Sequence, residues 1–492
     1  MGVFASSSAV SPPLFSGLHT IEFFSMTAHK TNTPPAISHA ATEAATDEST
    51  SVSDQTPSLP MWSAARISLI TALVMWPLAL MSFIYKVFLV PHNNHITDDF
   101  TTVWEALGRF RAGVPVYSED YSTVDPHYLY SPGGTLLLSP LTLMPGFDSG
   151  RIAYIFLNGL AIVLALAILT RLFGFRLRGG VWPTLIVSVF ATESVKNTLL
   201  FTNINGLLLL AEVGFLYLLL KHRSVVAQIA AGVLLGLAIT VKPQFAPLLF
   251  IPFVRRQFAT VGTGIAVPVV FNIVAWPLMT APGDYLDKLV PYLGEVRDYA
   301  NSSITGVGAY FGISGPLLWF WQLLFAALTA VAIILLMRWR DRDPIMWATT
   351  TAGVLLTGVF LLSSLGQMYY SMLLVPMLLT VVRYRSAMHN PVVWLGVYFC
   401  LSADDWHSDR FHTIGRAMEN IRATVGWSAI IIAVATTVVV WTVMEIRRGA
   451  PVLGDVATGG LFGGREESGV ENEDRTTTAQ IEEDEHVERT KH

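Results

Sequence analysis

The chain has 492 residues, 52% of them hydrophobic and only 14% charged. Soluble domains carry about 25% charged residues, so a water-soluble globular protein is excluded, and so is a single buried helical core, because the apolar runs are too many for the polar surface available. The net charge of −5 is uninformative as a sum, since acids and bases occupy different segments, and no nucleic-acid partner is expected.

Residues 1–60 are rich in Ser, Thr, Ala and Pro and are expected to form a disordered cytoplasmic segment. They lack a basic region joined to an apolar core and a small-residue cleavage site, so no cleaved signal peptide is read; Met26 is an alternative start. A membrane-embedded unit is predicted over 61–447, opening with a span at about 64–90 after Arg66. Lone Cys400 excludes an intrachain disulfide.

The first span runs into "HITDDFTTVWEALGRF", residues 95–110. Thr97 or Asp98 supplies an N-cap and Asp99 falls in the first turn. Phe100, Val103 or Trp104, Leu107 and Phe110 share one face, which predicts a helix lying in the interface plane. Asp98 and Asp99 would then sit at headgroup depth, where a lipid-linked phosphate also sits, although by residue type alone the pair also reads as a helix cap. His92, His95 and Asp98 recur at three-residue spacings; this is either a metal constellation or an ordinary loop, and no metal ligand or cofactor is assigned.

Next comes "VDPHYLYSPGGTLLLSPLTLMP", residues 124–145, where turns at Asp125-Pro126 and Pro132-Gly133-Gly134 bracket Tyr128 and Tyr130. Tyrosines at this depth serve an interfacial belt or a sugar-stacking surface. Asp125, His127 and Tyr128 are candidate acceptor-binding residues.

Further spans alternate with basic junctions at Arg171, Arg176 and Arg178, at Lys221 and Arg223, and at Arg255 and Arg256. The pattern continues at Arg338, Arg340 and Arg342, at Arg383 and Arg385, and at Arg447 and Arg448. Cytoplasmic loops retain Lys and Arg, so the alternation predicts an all-α polytopic membrane protein. It would have about 10–12 transmembrane helices and interfacial helices on the extracytoplasmic side, with both termini cytoplasmic. Four polar segments then face outward: 91–150, "ESVKNTLLFTNING", 280–313 and 404–424.

Asn203 and Asn205 of "FTNING" and Lys242 of "ITVKP" are polar groups in apolar spans, where polarity is costly and marks function. Lys242 either snorkels to the interface or binds the anionic phosphate of a lipid donor. Arg297, Asp298, Asn301 and Ser302 of "VRDYANSSITG" form a hydrogen-bonding loop suited to phosphate or sugar hydroxyls. Phe411, Ile414, Met418, Ile421 and Val425 recur at helical spacing, predicting an interfacial helix over 404–424, with Arg410 or Arg416 as lesser phosphate candidates. The tail 448–492 is acidic and is expected to be disordered and cytoplasmic. No Walker A, GxSxG or zinc motif is present, so a sugar donor would have to arrive from the membrane.

Taken together, "ITDDF", "VDPHYLYSPGGTLL", "FATES", "NTLLFTNING", "VKP", "RDYANSSI", "YYSM", "WLGVY" and "GRAMENI…GWS" resemble the actinobacterial α-(1→3)-arabinofuranosyltransferases. These are GT-C type enzymes of the large polytopic family that also holds polyprenyl-phosphate-mannose-dependent mannosyltransferases. The resemblance runs from about residue 85 to 445; Ser131 departs from the usual "PPGG" ending of one motif.

The resemblance implies a GT-C-like, multi-pass plasma-membrane enzyme with its active site on the extracytoplasmic side. Decaprenyl-phosphoryl-arabinofuranose would be the donor and an arabinan of arabinogalactan or lipoarabinomannan the acceptor, joined in an α-1,3 branch with inversion. The family places its catalytic Asp soon after the first span, which matches Asp98 and Asp99, with Asp99 favoured as base. Lys242 and Arg297 would bind the donor phosphate; Asn203, Asn205, Asp298, Asn301 and Ser302 would bind sugar. A mannosyltransferase of the same type is the alternative enzyme reading. A lipid-linked-sugar flippase and a non-catalytic assembly subunit are the remote ones.

Overall fold

The structure, a computed structural model, describes residues 64–91, 99–123, 126–403 and 410–450. Residues 1–60 and the tail from 451 onward lie outside the described residues, as do Asp98, Asp125, His92 and His95. Every regular element among the described residues is helical. An apolar solvent requires this: inside a bilayer the backbone must satisfy its own N–H and C=O groups, and a helix does so within one segment.

The first half of the chain forms α1 (Ala64–Ile84), α2 (Asp99–Arg111), α3 (Pro132–Leu138), α4 (Phe147–Leu172), α5 (Val181–Phe190), α6 (Glu193–Leu200), α7 (Asn205–Lys221) and α8 (Val225–Val241). It continues through α9 (Phe250–Val254), α10 (Phe258–Ala275), the single turn α11 (Val290–Tyr292), α12 (Ile304–Phe311) and α13 (Pro316–Leu336). The chain closes with α14 (Pro344–Leu362), the short α15 (Val375–Leu378), α16 (Pro391–Leu401) and α17 (His412–Arg447). Among the described residues, six helical stretches are long and apolar enough to cross a membrane, and five further apolar stretches are 10–17 residues long. Several of the expected spans are therefore short or interrupted. Pro243 and Pro247, which lack the N–H an α-helix uses, put residues Pro243–Leu249 into a 3-10 helix, and Met368–Leu374 forms another.

The outward faces are apolar: Leu69, Leu73, Leu80 and Met81 of α1 and Trp319, Phe320 and Leu323 of α13 are all exposed. Water would not tolerate such a surface, but lipid tails do. Inside, small residues let helices approach closely. A Cβ on Gly236 of α8 would stand 2.6 Å from Val267 of α10, and one on Gly232 2.7 Å from the Thr260 carbonyl. The α16–α17 crossing is reciprocal: a Cβ on Gly396 would meet the Gly426 carbonyl at 2.7 Å, and one on Gly426 would meet that of Gly396 at 2.6 Å. The "WLGVY" and "GWS" stretches thus owe their glycines to one helix contact.

Two sequence expectations change. The apolar face of α2 packs on protein instead of lying on lipid: Phe100 and Leu107 are fully buried, and Phe100 stacks within 5.4 Å of Tyr154 and 5.5 Å of Phe147. The described part of the 404–424 segment is not a separate interfacial helix, because α17 runs unbroken from His412 for 36 residues into the last span, while 404–409 lie outside the described residues. No Pro interrupts that run, so nothing ends the helix at 424.

At one end of the bundle two basic junctions converge on Glu445 of α17 and on Asp343. Arg342 and Arg385 each bond Glu445 at 2.9 Å, Arg338 stands 3.8 Å from it, and Arg383 pairs with Asp343 at 2.9 Å. Residues 126–131, 285–302 and 363–370 contribute to a cavity elsewhere in the fold.

Candidate active site

Asp99 opens α2, and its backbone N–H donates to the Phe201 carbonyl at 3.0 Å. The start of α2 is thereby docked on the "FTNING" turn. That turn is strained: Thr202, buried and β-branched, holds φ at 55°, a conformation that β-branched side chains rarely adopt and that clusters at functional sites. It presents Asn203, whose Oδ1 accepts from the Asn205 N–H at 3.1 Å. Asn205 in turn accepts from Lys242 Nζ at 2.9 Å.

Lys242 follows the last turn of α8, ahead of Pro243. It does not snorkel outward. Its ammonium lies 4.3 Å above the ring of Tyr370 and 5.9 Å from that of Tyr369. The Tyr369 hydroxyl donates to Asp99 Oδ2 at 3.1 Å. The two tyrosines are adjacent in sequence and edge-on, so one pair of rings meets the acid on one side and the cation on the other.

These groups line a cavity of about 870 Å³ together with Arg297, His127, Tyr128, Asn203 and Ser302, a size within the roughly 300–1,000 Å³ of small-molecule sites. The amide nitrogens of Asn203 and Asn205 are buried without a protein partner, and buried polar groups in that state usually meet water or a ligand. The Arg297 guanidinium rests 5.2 Å from the Tyr299 ring.

One wall is organised by Glu119. Its carboxylate accepts from Arg109 at 2.5 Å and from the Tyr128 N–H at 2.9 Å, and stands 3.3 Å from His127 Nδ1. His127 packs 5.0 Å from Tyr121 and 5.1 Å from Tyr292. Tyr128 is fully buried and its hydroxyl shares a 2.8 Å hydrogen bond with Thr135; burial pushes the phenol well above its usual range. Beyond it, Ser131 N-caps α3, accepting from the Gly134 N–H at 3.2 Å. The predicted Pro132-Gly133-Gly134 turn is therefore the first turn of a helix, and Ser131 in place of Pro contributes its cap. Gly133 abuts Asn272 of α10, which accepts from its N–H at 3.0 Å.

Not every sequence candidate reaches the cavity. Asn301 is a structural clasp: Oδ1 accepts from the Ser303 and Gly366 N–H groups, and Nδ2 donates to the Arg297 and Ser364 carbonyls. Its four hydrogen-bonding positions are occupied, which leaves none for sugar. Asp298 is exposed and absent from the lining. Asn205 acts behind the wall through Lys242. Arg410 lies over its neighbour Phe411, away from the cavity, and the Arg416 side chain falls outside the described residues. Sequence reasoning missed Glu119 and gave Tyr369 and Tyr370 no role, although the doubled Tyr of "YYSM" was visible. No group of three or more potential metal ligands occurs among the described residues.

Residues 128–364 match the model of Glycosyltransferase family 87, a stretch that includes Lys242 and Arg297 but neither Asp99 nor Tyr369. The chain is 46% identical over 402 residues to the α-(1→3)-arabinofuranosyltransferase of Corynebacterium glutamicum, covering 82% of this chain and 94% of that protein. The enzyme of the same name from Mycolicibacterium smegmatis is 43% identical over 376 residues, covering 76% of this chain and 87% of that one. That from Mycobacterium tuberculosis is 43% identical over 378 residues, covering 77% and 87%.

Proposed function

The chain belongs to glycosyltransferase family 87, and from that premise we propose that it transfers arabinofuranose in α-(1→3) linkage. The donor is decaprenyl-phosphoryl-arabinofuranose and the acceptor a growing arabinan of cell-wall arabinogalactan or lipoarabinomannan. The protein works in the plasma membrane, with the cavity facing the extracytoplasmic side. The observation that carries this reading is a carboxylate and an ammonium set in one cavity, Asp99 and Lys242, on either side of the Tyr369–Tyr370 pair.

The chemistry needs both charges. Asp99 removes the proton from the acceptor 3-hydroxyl as that oxygen attacks the anomeric carbon. The bond from that carbon to the phosphate oxygen breaks on the opposite face, its electron pair leaving with the polyprenyl phosphate, and the configuration inverts. Lys242 and Arg297 stabilise the departing phosphate. Asn203 offers its unpartnered amide nitrogen to a sugar oxygen, and His127, Tyr128 and Ser302 shape the acceptor wall. Asp98 and Asp125 are kept as acceptor-side candidates.

Membranes carrying the protein, supplied in turn with labelled decaprenyl-phosphoryl-arabinofuranose and labelled polyprenyl-phosphate-mannose, test the assignment. Linkage analysis should find new α-1,3-linked arabinofuranose from the first donor alone. Mannose transfer in its place would overturn the donor assignment.

A further inference from the structure

A base on the first turn of a short helix has a mobile side chain unless something fixes its carboxylate. The backbone contact from Asp99 to Phe201 holds the residue but not the side-chain torsions. Tyr369 supplies what the backbone does not, from 270 positions away in the chain, through its 3.1 Å hydrogen bond to Oδ2.

The tyrosine is itself rigidly seated. It is 8% exposed and sits in the 3-10 helix Met368–Leu374. Its ring stands edge-on to Tyr370, with centroids 5.1 Å apart, and 6.5 Å from the ring of Phe201. Tyr370 packs at 5.4 Å on Phe360. The next residue, Ser371, accepts from Trp427 Nε1 at 2.9 Å, tying the segment to α17. A phenol in such a seat loses little further freedom when it holds a partner.

The residue type also fits the task. A cation bonded to the base would depress its proton affinity strongly, which works against proton abstraction. A neutral hydroxyl fixes the geometry and favours the ionised carboxylate at a smaller loss of basicity. The titratable groups that meet the Asp99 charge include Tyr130, Tyr154, Tyr370 and Lys242. Arg297, Glu295 and Glu419 stand around the same cavity.

We propose that Tyr369 is a positioning residue of the transfer reaction, acting through Asp99: its hydroxyl orients the carboxylate in the cavity and keeps it ionised. This rests on Asp99 being the base. The Tyr370 face, bearing Lys242, places the phosphate-binding cation relative to the base, so one dipeptide sets both ends of the reacting geometry.

The test uses purified full-length protein with lipid donor and arabinan acceptor. Tyr369→Phe, which keeps the ring and removes only the hydroxyl, should lower kcat about ten- to a hundredfold while leaving donor KM near its wild-type value. The acid limb of its rate profile should move to higher pH by about one to two units, since the ionised carboxylate loses a donor. The limb's position is independent of the folded fraction, so partial misfolding cannot imitate the result. In an Asp99→Asn background, adding Tyr369→Phe should cost no further activity. A wild-type kcat and an unmoved acid limb in Tyr369→Phe, with Asp99→Asn inactive, overturn the positioning role alone. Full activity in Asp99→Asn overturns the base assignment itself.

Discussion

Lys242 donates to the side-chain oxygen of Asn205 at 2.9 Å while lying 4.3 Å above the ring of Tyr370. Among the described residues no carboxylate forms an ion pair with it. The ammonium is thus held by a neutral amide and a ring quadrupole, both weaker partners than an anion. Such a cation keeps most of its field available for a phosphate.

Lys242→Met should therefore raise donor KM and lower kcat/KM by about a hundred- to a thousandfold. Asn205→Leu, which leaves the charge but removes its guide, should cost about tenfold. Steady-state kinetics with varied donor concentration separate the two, and equal losses would mean that Asn205 does more than guide the lysine.

Asp99→Asn should reduce kcat by about a hundred- to ten-thousandfold, the usual contribution of a general base. The start of α2 should survive, because its contact to Phe201 uses the backbone. A melting temperature in detergent close to that of the native protein checks the second half of this expectation.

Asn301→Ala and Asp298→Ala should differ sharply. The first removes four hydrogen bonds, two within the 297–303 loop and two that tie it to residues 364 and 366. It should destabilise the protein by about 2–4 kcal/mol. The second touches an exposed side chain and should leave both stability and kcat/KM within twofold of the native protein. Thermal melts and kinetics on the pair would show whether the loop acts as scaffold or as sugar ligand.

Glu212, in the middle of α7, is 1% exposed and neither carboxylate oxygen has a protein partner. A carboxyl in such a place costs stability even when neutral, so Glu212→Leu should raise the melting temperature, by the equivalent of about 1–3 kcal/mol. A drop would reveal that the carboxyl is satisfied by water in the working protein.

The sequence made the helical class legible, and singled out a candidate site, for identifiable reasons. Long apolar runs with basic flanks have few other physical readings, and "TDDF" stood directly after the first of them. The structure does bring Asp99, Lys242 and Arg297 to one cavity. What stayed hidden depends on distance in the chain. Nothing in "YYSM" reveals that Tyr369 reaches Asp99, and nothing in "ED" at 119–120 reveals that Glu119 holds His127 and the Tyr128 backbone. Asn301 misled because a polar side chain in a loop reads the same whether it faces a ligand or its own backbone. The 404–424 segment misled differently: its amphipathic period was read correctly, but periodicity alone does not say where a helix stops.

The unbroken length of α17 carries a last consequence. At 1.5 Å per residue, 36 residues make a rod of about 54 Å, and even a tilt of about 40° leaves it some 41 Å tall. Hydrocarbon occupies only about 30 Å, so the rod must project well beyond it. Glu419 and Asn420, in its amphipathic N-terminal third, line the cavity. On the proposed extracytoplasmic orientation, the rim they build would stand beyond the hydrocarbon, within reach of a hydrophilic acceptor.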